Sequence, residues 1–486
     1  MAKKVHFLGI GGSGASGAAA IAEAQGFEVT GCDLQPNNEF TTIFKPDQLL
    51  TGHNPDHLFY HAGSTFYHPV SSSVTLSETK GITPDIYSSA TPQNDRRDTR
   101  NDKSLASHIG SGNVDILAVT PAIFSLDLNN PELLTAKEKG VPAMTWQQFL
   151  GQYLAKEKFV IAVCGTHGKT TTTAMIARLL ENAGLDPTVL LGAIIPKWKT
   201  NYRIGRSKFL VVEADEFNDN FLPTKPDIAV VTNIEMDHPE YFKDFEAVKE
   251  SFKKFLLQTK QTVVANLTDP GAAEVVKVVM KTPVKPGTPL QYLDYSRNEL
   301  EINLQIPGEF NRLNAKAAMS VGLLLGIEPE IIKKSLADFT GASKRFEYIG
   351  EYKGAKVYSD FGHHPTEIEK TMEAVREKFP KERILLVYQP HMFSRTKALF
   401  NDFVKVFQNI TADKTYILDI YPSREVDTGL VTSEQLVETV NKSSVSYLGT
   451  VPDALEKIKP EIKARDIVFF MSAGDTDKLA KELVSS

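Results

Sequence analysis

Twice in this chain a short apolar run breaks into a glycine-rich turn and resumes at once as a helix-forming segment. That pattern constrains the fold more than any other feature. It requires a buried strand that hands its chain to a helix N-terminus at the carboxyl edge of a parallel sheet. The first instance is Val5-His6-Phe7-Leu8, broken by Gly9-Ile10-Gly11-Gly12-Ser13-Gly14 and followed by an alanine-rich helix over 15–25. A strand returns at Phe27-Glu28-Val29-Thr30-Gly31-Cys32 and ends at Asp33. The second is Phe159-Val160-Ile161-Ala162-Val163, followed by a glycine turn at 165–168 and a helix expected to begin near Thr172.

Strand and helix periods alternate through most of the remainder, with strands expected at 209–212, 228–233, 384–387, 415–418 and 467–470. Met144 to Lys158 reads as a closing helix and connector, and Asn314 to Leu336 as one long helical stretch. The fold class is therefore α/β with three domains. These are a Rossmann-like domain over 1–150, a central P-loop ATPase-like domain with a parallel sheet over 151–338, and a second Rossmann-like domain over 339–486. No internal repeat is visible. Residues 60–112 are rich in Ser, Thr, Asn and Asp without periodicity, and read as an insertion, mobile rather than catalytic.

Composition excludes several classes. Hydrophobic residues are 42% of 486 and charged residues 23%, ordinary for a chain that buries a core. A net charge of −6 lacks the basic footprint of a nucleic-acid or membrane-surface protein. The two cysteines, Cys32 and Cys164, exclude a disulfide framework. The opening residues run directly into the glycine turn and leave no room for a signal peptide, and no apolar run is long enough to cross a bilayer. The expectation is a cytoplasmic protein, monomeric or a weak homodimer, with no nucleic-acid or membrane partner.

The chemistry begins at Gly165-Thr166-His167-Gly168-Lys169-Thr170-Thr171. Glycines let backbone amides turn inward around phosphates, and the following helix adds positive potential. Lys169 can reach terminal phosphates, and the Thr170 hydroxyl suits magnesium. The full Walker pattern wants a further glycine where Val163 stands, so the loop is a shortened one. Downstream, Glu213-Ala214-Asp215-Glu216 and Ile234-Glu235-Met236-Asp237-His238 each end an apolar strand. Together with the loop they read as a nucleotide–metal site with Glu213 and His238 as ligands. The Gly9-x-Gly11-x-x-Gly14 turn with Asp33 is compatible with any diphosphate on a helix N-terminus, a nicotinamide dinucleotide included. Late in the chain, Asp360-Phe361-Gly362-His363-His364-Pro365 and Gln389-Pro390-His391-Met392-Phe393-Ser394-Arg395-Thr396 follow strands. Arg345, Arg395 and Arg424 stand near comparable strand ends.

These residues resemble the Mur ligases, ATP-dependent enzymes of bacterial cell-wall precursor synthesis. The family's GTHGKTTT occurs as Gly165 to Thr172, its EADE as Glu213 to Glu216, and its TNI…DH as Thr232 to His238. Its adenine-side pattern occurs at Gly308 to Ala318 with Phe310 in place of histidine. The opening His6 to Gly12, the Gln389-Pro390-His391 and Ser394-Arg395-Thr396 elements, and Tyr421 to Glu425 resemble the branch that joins L-alanine to UDP-N-acetylmuramate. The branch that recycles murein tripeptide typically lacks the second of these. Three positions depart from the alanine-adding pattern: Ser359 replaces an aspartate, Phe361 a tyrosine and Met392 an arginine.

The resemblance implies ATP and Mg2+ as cofactors, with UDP-N-acetylmuramate and L-alanine as substrates. It implies Gly165, Thr166, His167, Gly168, Lys169, Thr170, Thr171, Asn311, Arg345 and Asp360 on the nucleotide. It places Thr170, Glu213 and His238 on the metal, and Lys169, Glu213, His238 and Arg345 in catalysis. The UDP-sugar falls to Gly11, Gly12, Ser13, Gly14, Asp33, His53, Thr120 and Ala122, and the amino acid to His363, His364, His391 and Arg395. Lys253 and Lys254 lie where some relatives carry a carbamylated lysine, a feature the alanine-adding branch generally lacks. A nicotinamide-dependent dehydrogenase would rest on the first glycine turn alone and leave the second unexplained. A non-catalytic ATP-binding protein is the other alternative, separable by substrate-dependent ADP release.

Overall fold

Three sheets follow one another along the chain. The computed structural model describes residues 2–59, 114–282, 289–299, 301–423 and 425–486. The insertion expected at 60–112 and the expected role of Arg424 lie outside them.

The first sheet is wholly parallel and contains β1 (Lys4–Leu8), β2 (Glu28–Asp33), β3 (Leu49–Thr51), β4 (Ile116–Val119) and β5 (Ala143–Thr145), in the order β3-β2-β1-β4-β5. The two-residue period of β1 divides its side chains between two cores. Val5 and Phe7 pack with the alanine face of the helix Ser13–Ala24, while Leu8 joins Cys32, Leu117 and Ala136 on the other side. Beyond β5 the expected closing helix is shorter and less regular than its sequence implied. Trp146–Phe149 is a single turn that runs into a π-helical turn over Leu150–Leu154. Phe149, the last residue of the regular turn, is buried, and its ring meets Phe7 edge-on at 5.6 Å and stacks on Tyr153 at 5.2 Å.

The central sheet contains β6 (Phe159–Cys164), β7 (Thr188–Ile195), β8 (Thr200–Arg203), β9 (Phe209–Glu213), β10 (Ile228–Val231), β11 (Thr262–Ala265) and β12 (Gln291–Asp294), ordered β12-β11-β10-β6-β9-β7-β8. Strand β6 lies in the middle, buried on both faces, which is why it reads as an unbroken apolar run. Its helix starts at Lys169, three residues before the expected point, because Gly168 (φ 80°) is the N-cap. The expected helix over 314–336 is two helices, Glu309–Leu324 and Pro329–Ala337. Gly326 in the left-handed region (φ 72°) and Pro329 at the next helix's first turn separate them.

The third sheet contains β13 (Glu347–Tyr352), β14 (Ala355–Asp360), β15 (Ile384–Tyr388), β16 (Lys414–Leu418), β17 (Val445–Gly449) and β18 (Ile467–Met471), ordered β13-β14-β18-β15-β16-β17. Only β7–β8 and β13–β14 pair antiparallel among the described strands. Both are short-loop hairpins at the sheet edge. The glycine turn after β1, the loop after β6, the carboxylates after β9 and the histidines after β14 all leave the carboxyl ends of parallel strands, where open α/β sheets bind ligands. Hydrogen bonds tie these ends together: Asn201 donates to the Ser13 carbonyl at 2.6 Å, and Arg395 to Asp237 at 3.0 Å.

Phe149 is fully buried and anchors the first core. Phe149→Ala is expected to destabilise the N-terminal unit by about 3–5 kcal/mol. Urea unfolding followed by circular dichroism measures this as an earlier first transition, with the later ones unmoved.

Candidate active site

The loop after β6 holds its shape through two glycines in positive-φ conformations, which L side chains rarely adopt. Gly165 has φ 137°, and a Cβ there would meet the Thr232 hydroxyl at 2.0 Å. Gly168 has φ 80° with Asn314 Oδ1 2.7 Å from where a Cβ would be. The end of β10 pins the loop from the side. The Thr166 amide donates to the Asn233 carbonyl (3.0 Å), the His167 amide to Asn233 Oδ1 (2.8 Å), and the Thr232 hydroxyl to the His167 carbonyl (2.6 Å). The TN of TNI thus shapes the phosphate loop and also lines the smaller of the two cavities described below.

Lys169 bends back over this loop. Its ammonium donates to the carbonyls of Gly165 (2.7 Å) and Thr166 (3.1 Å) and to both oxygens of Glu216 (3.0 and 2.9 Å). Burial by itself lowers the lysine pKa, but the Glu216 charge outweighs it, so the pKa is raised and the side chain stays charged. Thr170 donates to Glu213 (3.0 Å), whose other oxygen accepts from the Gly192 amide (2.7 Å). Asp215, Glu216 and His238 offer donor atoms within 4.8 Å of one another. The expected metal ligands therefore fall into two neighbouring groups, Thr170 with Glu213 and His238 with Asp215 and Glu216.

The C-terminal unit closes onto this face through charged contacts. Arg345 reaches the Thr170 hydroxyl at 3.4 Å, and its guanidinium lies over the Phe361 ring at 4.5 Å. Asp237 accepts from Arg395 Nε (3.0 Å), and His363 approaches its other oxygen at 3.7 Å. Burial raises the Asp237 pKa, but His238 and then Arg395 outweigh it and hold the carboxyl well below the usual range. Arg395 also contacts His391 (3.1 Å) and His238 (3.3 Å). His167 lies between Glu367 (3.1 Å) and Glu235 (3.6 Å). Burial lowers its pKa, yet Glu367 and then Glu235 push it up to about 10. Asp360 is pushed up to about 6 by burial, although Arg345 opposes this, and it accepts from the Phe346 and Gly362 amides.

Two cavities flank the loop. One, of about 590 Å³, is lined by Ser13 and Gly14 of the first glycine turn, by Lys169, Thr170, Glu213 and His238, and by Phe361, His363, His391, Met392 and Arg395. The other, of about 390 Å³, is lined by Phe310, Asn311, Asn314, Tyr295, Asp269 and Asp360. His167, Gly168, Arg345 and Glu367 line both. Asn311 donates to the Pro307 carbonyl at 2.7 Å from the first turn of its helix.

Several expected residues stand elsewhere. His364 lines neither cavity. It precedes Pro365, takes the extended conformation that proline imposes, and caps the helix Pro365–Lys378 by accepting from the Thr366 amide. His53 turns toward Cys32 (3.5 Å) and Glu132 (3.8 Å), away from the cavities. Asp33 closes the first glycine turn by accepting from the Gly11 amide at 3.0 Å. Thr120 packs against Gly9, and Ala122 is exposed in the first turn of the helix Pro121–Leu126. Sequence reasoning passed over Glu216, Asp237 and Glu367 as site residues. The first two stood inside motifs already singled out. Glu367 is the N3 glutamate of the His364 capping box and carried no other signal. Trp146, Glu39 and Phe40 complete the first cavity without a motif.

A UDP-N-acetylmuramate–L-alanine ligase of Aquifex aeolicus is 35% identical, over 99% of this chain and 97% of the relative. The chain belongs to the Mur ligase family. A ligase of the same name from Clostridium perfringens is 32% identical over 99% of this chain and 97% of its own length. Residues 163–322 match the Mur ligase middle domain, 344–474 the Mur ligase glutamate ligase domain, and 4–43 the Mur ligase family catalytic domain. Among solved structures, the UDP-N-acetylmuramate–alanine ligase of Thermotoga maritima superposes with TM-score 0.69 at 23% identity, covering 99% of this chain and 98% of that one. A murein peptide ligase from Psychrobacter arcticus gives 0.63 at 20% identity over the same shares. At these identities the likeness is one of fold. Among the described residues of this Mur ligase, no helix is long and apolar enough to cross a membrane.

The His364 pKa is lowered from 6.5 to about 4, first by burial and then by the adjacent positive His167. A depressed value means that folding favours the neutral ring. This contribution is complete above pH 6.5 and is lost as pH falls toward 4, reaching about 2 kcal/mol of destabilisation at pH 5. Asparagine keeps the cap without the charge. The stability difference between wild type and His364→Asn is therefore expected to shift by that amount in the variant's favour between pH 7.5 and pH 5. Denaturant midpoints at the two pH values measure it.

Proposed function

We propose that this Mur ligase joins L-alanine to the lactyl carboxylate of UDP-N-acetylmuramate, forming ADP and phosphate, in the cytoplasmic synthesis of peptidoglycan precursors. The observation that carries the reading is the phosphate loop standing as a shared wall between two cavities. The relatives that span nearly the whole chain are named for this reaction. The domains fall at 1–150 for the UDP-sugar, 151–338 for ATP and 339–486 for closure and the amino acid.

In this reading adenine lies in the smaller cavity beside Asn311 and Phe310, and the phosphates pass over Gly165–Thr171. The γ-phosphate then enters the larger cavity, which holds the lactyl carboxylate and the amino acid. A carboxylate is a poor electrophile, so its oxygen first takes the phosphoryl group, and the amine of alanine displaces phosphate from the acyl carbon. Lys169 neutralises charge on the β- and γ-phosphates, and Arg345, steadied on Phe361, adds a second positive group beside Thr170. The hydroxyl and carboxylate oxygens of Thr170, Glu213 and Asp215, with His238, suit a hard divalent cation. Bound magnesium would screen the phosphate oxygens there. Gly11, Gly12, Ser13 and Gly14 present the N-terminus of the helix Ser13–Ala24 to the UDP diphosphate. His363, His391 and Arg395 face the amino acid, with Arg395 shared between Asp237 and the substrate carboxylate. The charged contacts from the C-terminal unit exclude water from an acyl phosphate that would otherwise hydrolyse.

Phosphate release in the presence of ATP and UDP-N-acetylmuramate across an amino-acid panel tests the reading. L-Alanine is expected to be preferred, with glycine and L-serine measurable but poorer, because one methyl or hydroxyl changes discrimination by only about 1–3 kcal/mol. Preference for a tripeptide over every free amino acid would move the protein to the recycling branch. Lys169→Ala is expected to lower kcat about a thousandfold with the circular dichroism spectrum retained. A residual rate above roughly a tenth of wild type would remove Lys169 from the phosphate path.

A further inference from the structure

The face of the first sheet turned away from the helix Ser13–Ala24 carries a polar cluster that the ligase chemistry does not use. His6 on β1 and Cys32 on β2 point to this face, among Leu8, Leu117, Val119 and Ala136. Above them lie His57, from the short 3-10 segment Pro55–Phe59, and Glu132, from the first turn of the helix Pro131–Lys139. One donor atom from each of the four falls within 4.8 Å of all the others. None of the four lines either active-site cavity.

Burying a carboxylate in such a place is costly without a cation. Glu132 and His6 are both 0% exposed, yet among the described residues the ion-pair partners of Glu132 are histidines only. Cys32 Sγ lies 3.1 Å and His57 Nδ1 3.0 Å from Glu132 Oε1, and the Asn54 amide donates to the same oxygen. The other oxygen, Oε2, faces His6 Nε2 at 3.2 Å, and among the described residues neither atom has a further partner. Two fully buried polar atoms thus rely on one another alone for pairing among the described residues. The far ring nitrogen of His6 lies 2.8 Å from the Thr30 hydroxyl, which fixes the ring and leaves Nε2 facing inward, as the outer partner of a metal-bound histidine does.

We propose that His6, Cys32, His57 and Glu132 form a structural zinc site. Two imidazoles, one thiolate and one carboxylate are a zinc donor set. Magnesium and calcium prefer oxygen alone. Bond lengths of about 2.0–2.3 Å place tetrahedral donors roughly 3.3–3.8 Å apart, so donor atoms that all lie within 4.8 Å of one another need only small shifts to close around the ion. Binding displaces the thiol proton of Cys32 to solvent and leaves a thiolate on the metal. The four ligands come from two adjacent strands, the segment after β3 and the helix before β5. The ion therefore staples both ends of a small domain whose connection between them is long.

The test uses the full chain purified without chelators. Metal content by plasma mass spectrometry, followed by zinc titration against a chromophoric chelator, is expected to show about one tight zinc per chain, as isolated or after titration. Cobalt in place of zinc is expected to show thiolate-to-cobalt charge-transfer absorption. That absorption should be absent in Cys32→Ser even though Cys164 remains, which separates this site from any magnesium site on the phosphate loop. His57→Gln, at the partly exposed edge of the cluster, is expected to fold and to bind zinc at least about a hundredfold more weakly. Zinc uptake or cobalt absorption indifferent to Cys32 and His57, or no tight zinc at all, would overturn the proposal and leave a metal-free histidine–carboxylate network.

Discussion

The joining of the central and C-terminal units depends on one buried carboxylate, Asp237. It takes Arg395 from the far unit at 3.0 Å and the His238 amide at 2.7 Å, while His363 approaches from a second C-terminal loop. Arg395 is 2% exposed and so cannot be left unpaired. Removing one partner of such a pair typically costs about 3–5 kcal/mol, because the other charge stays buried. The same pair fixes where His391 and His238 stand, since both rings rest against the guanidinium. Closure and the shape of the larger cavity are thus set together.

The central unit presents a surface already formed for this closure. The chain just past β10 shapes the phosphate loop through Thr232 and Asn233, and two and four residues further on it reaches Glu235 and Asp237, which meet the C-terminal unit. Any shift of this segment is felt by both the loop and the closing contacts.

The parts of the protein that were legible in sequence are those whose chemistry is contiguous. A strand, a glycine turn and a helix occupy adjacent residues, so the phosphate loop, Lys169 and Thr170 declared themselves, as did the carboxylates closing β9. The misread elements had local signals that were outweighed by a longer pattern. Gly326 and Pro329 mark a helix break inside an otherwise continuous helical period, and Pro365 marks His364 as a cap. What no local reading reaches is the pairing of residues distant in sequence. Asp237 and Arg395 are 158 residues apart, and Cys32 and Glu132 are 100. Their partnership is created by the order of strands in the sheets, and until the topology is known each is only a polar residue near an apolar run.

The two cavities share His167, Gly168, Arg345 and Glu367 as a common wall. These are charged or hinge-like groups rather than inert packing, with His167 held by two carboxylates and Arg345 resting on an aromatic ring. A ligand that draws one of them toward itself changes the lining seen from the other side. Thermodynamic linkage then makes the effect mutual: whatever factor a nucleotide applies to the affinity of the sugar, the sugar applies to the nucleotide. Any such coupling between the two cavities passes through the four residues they share.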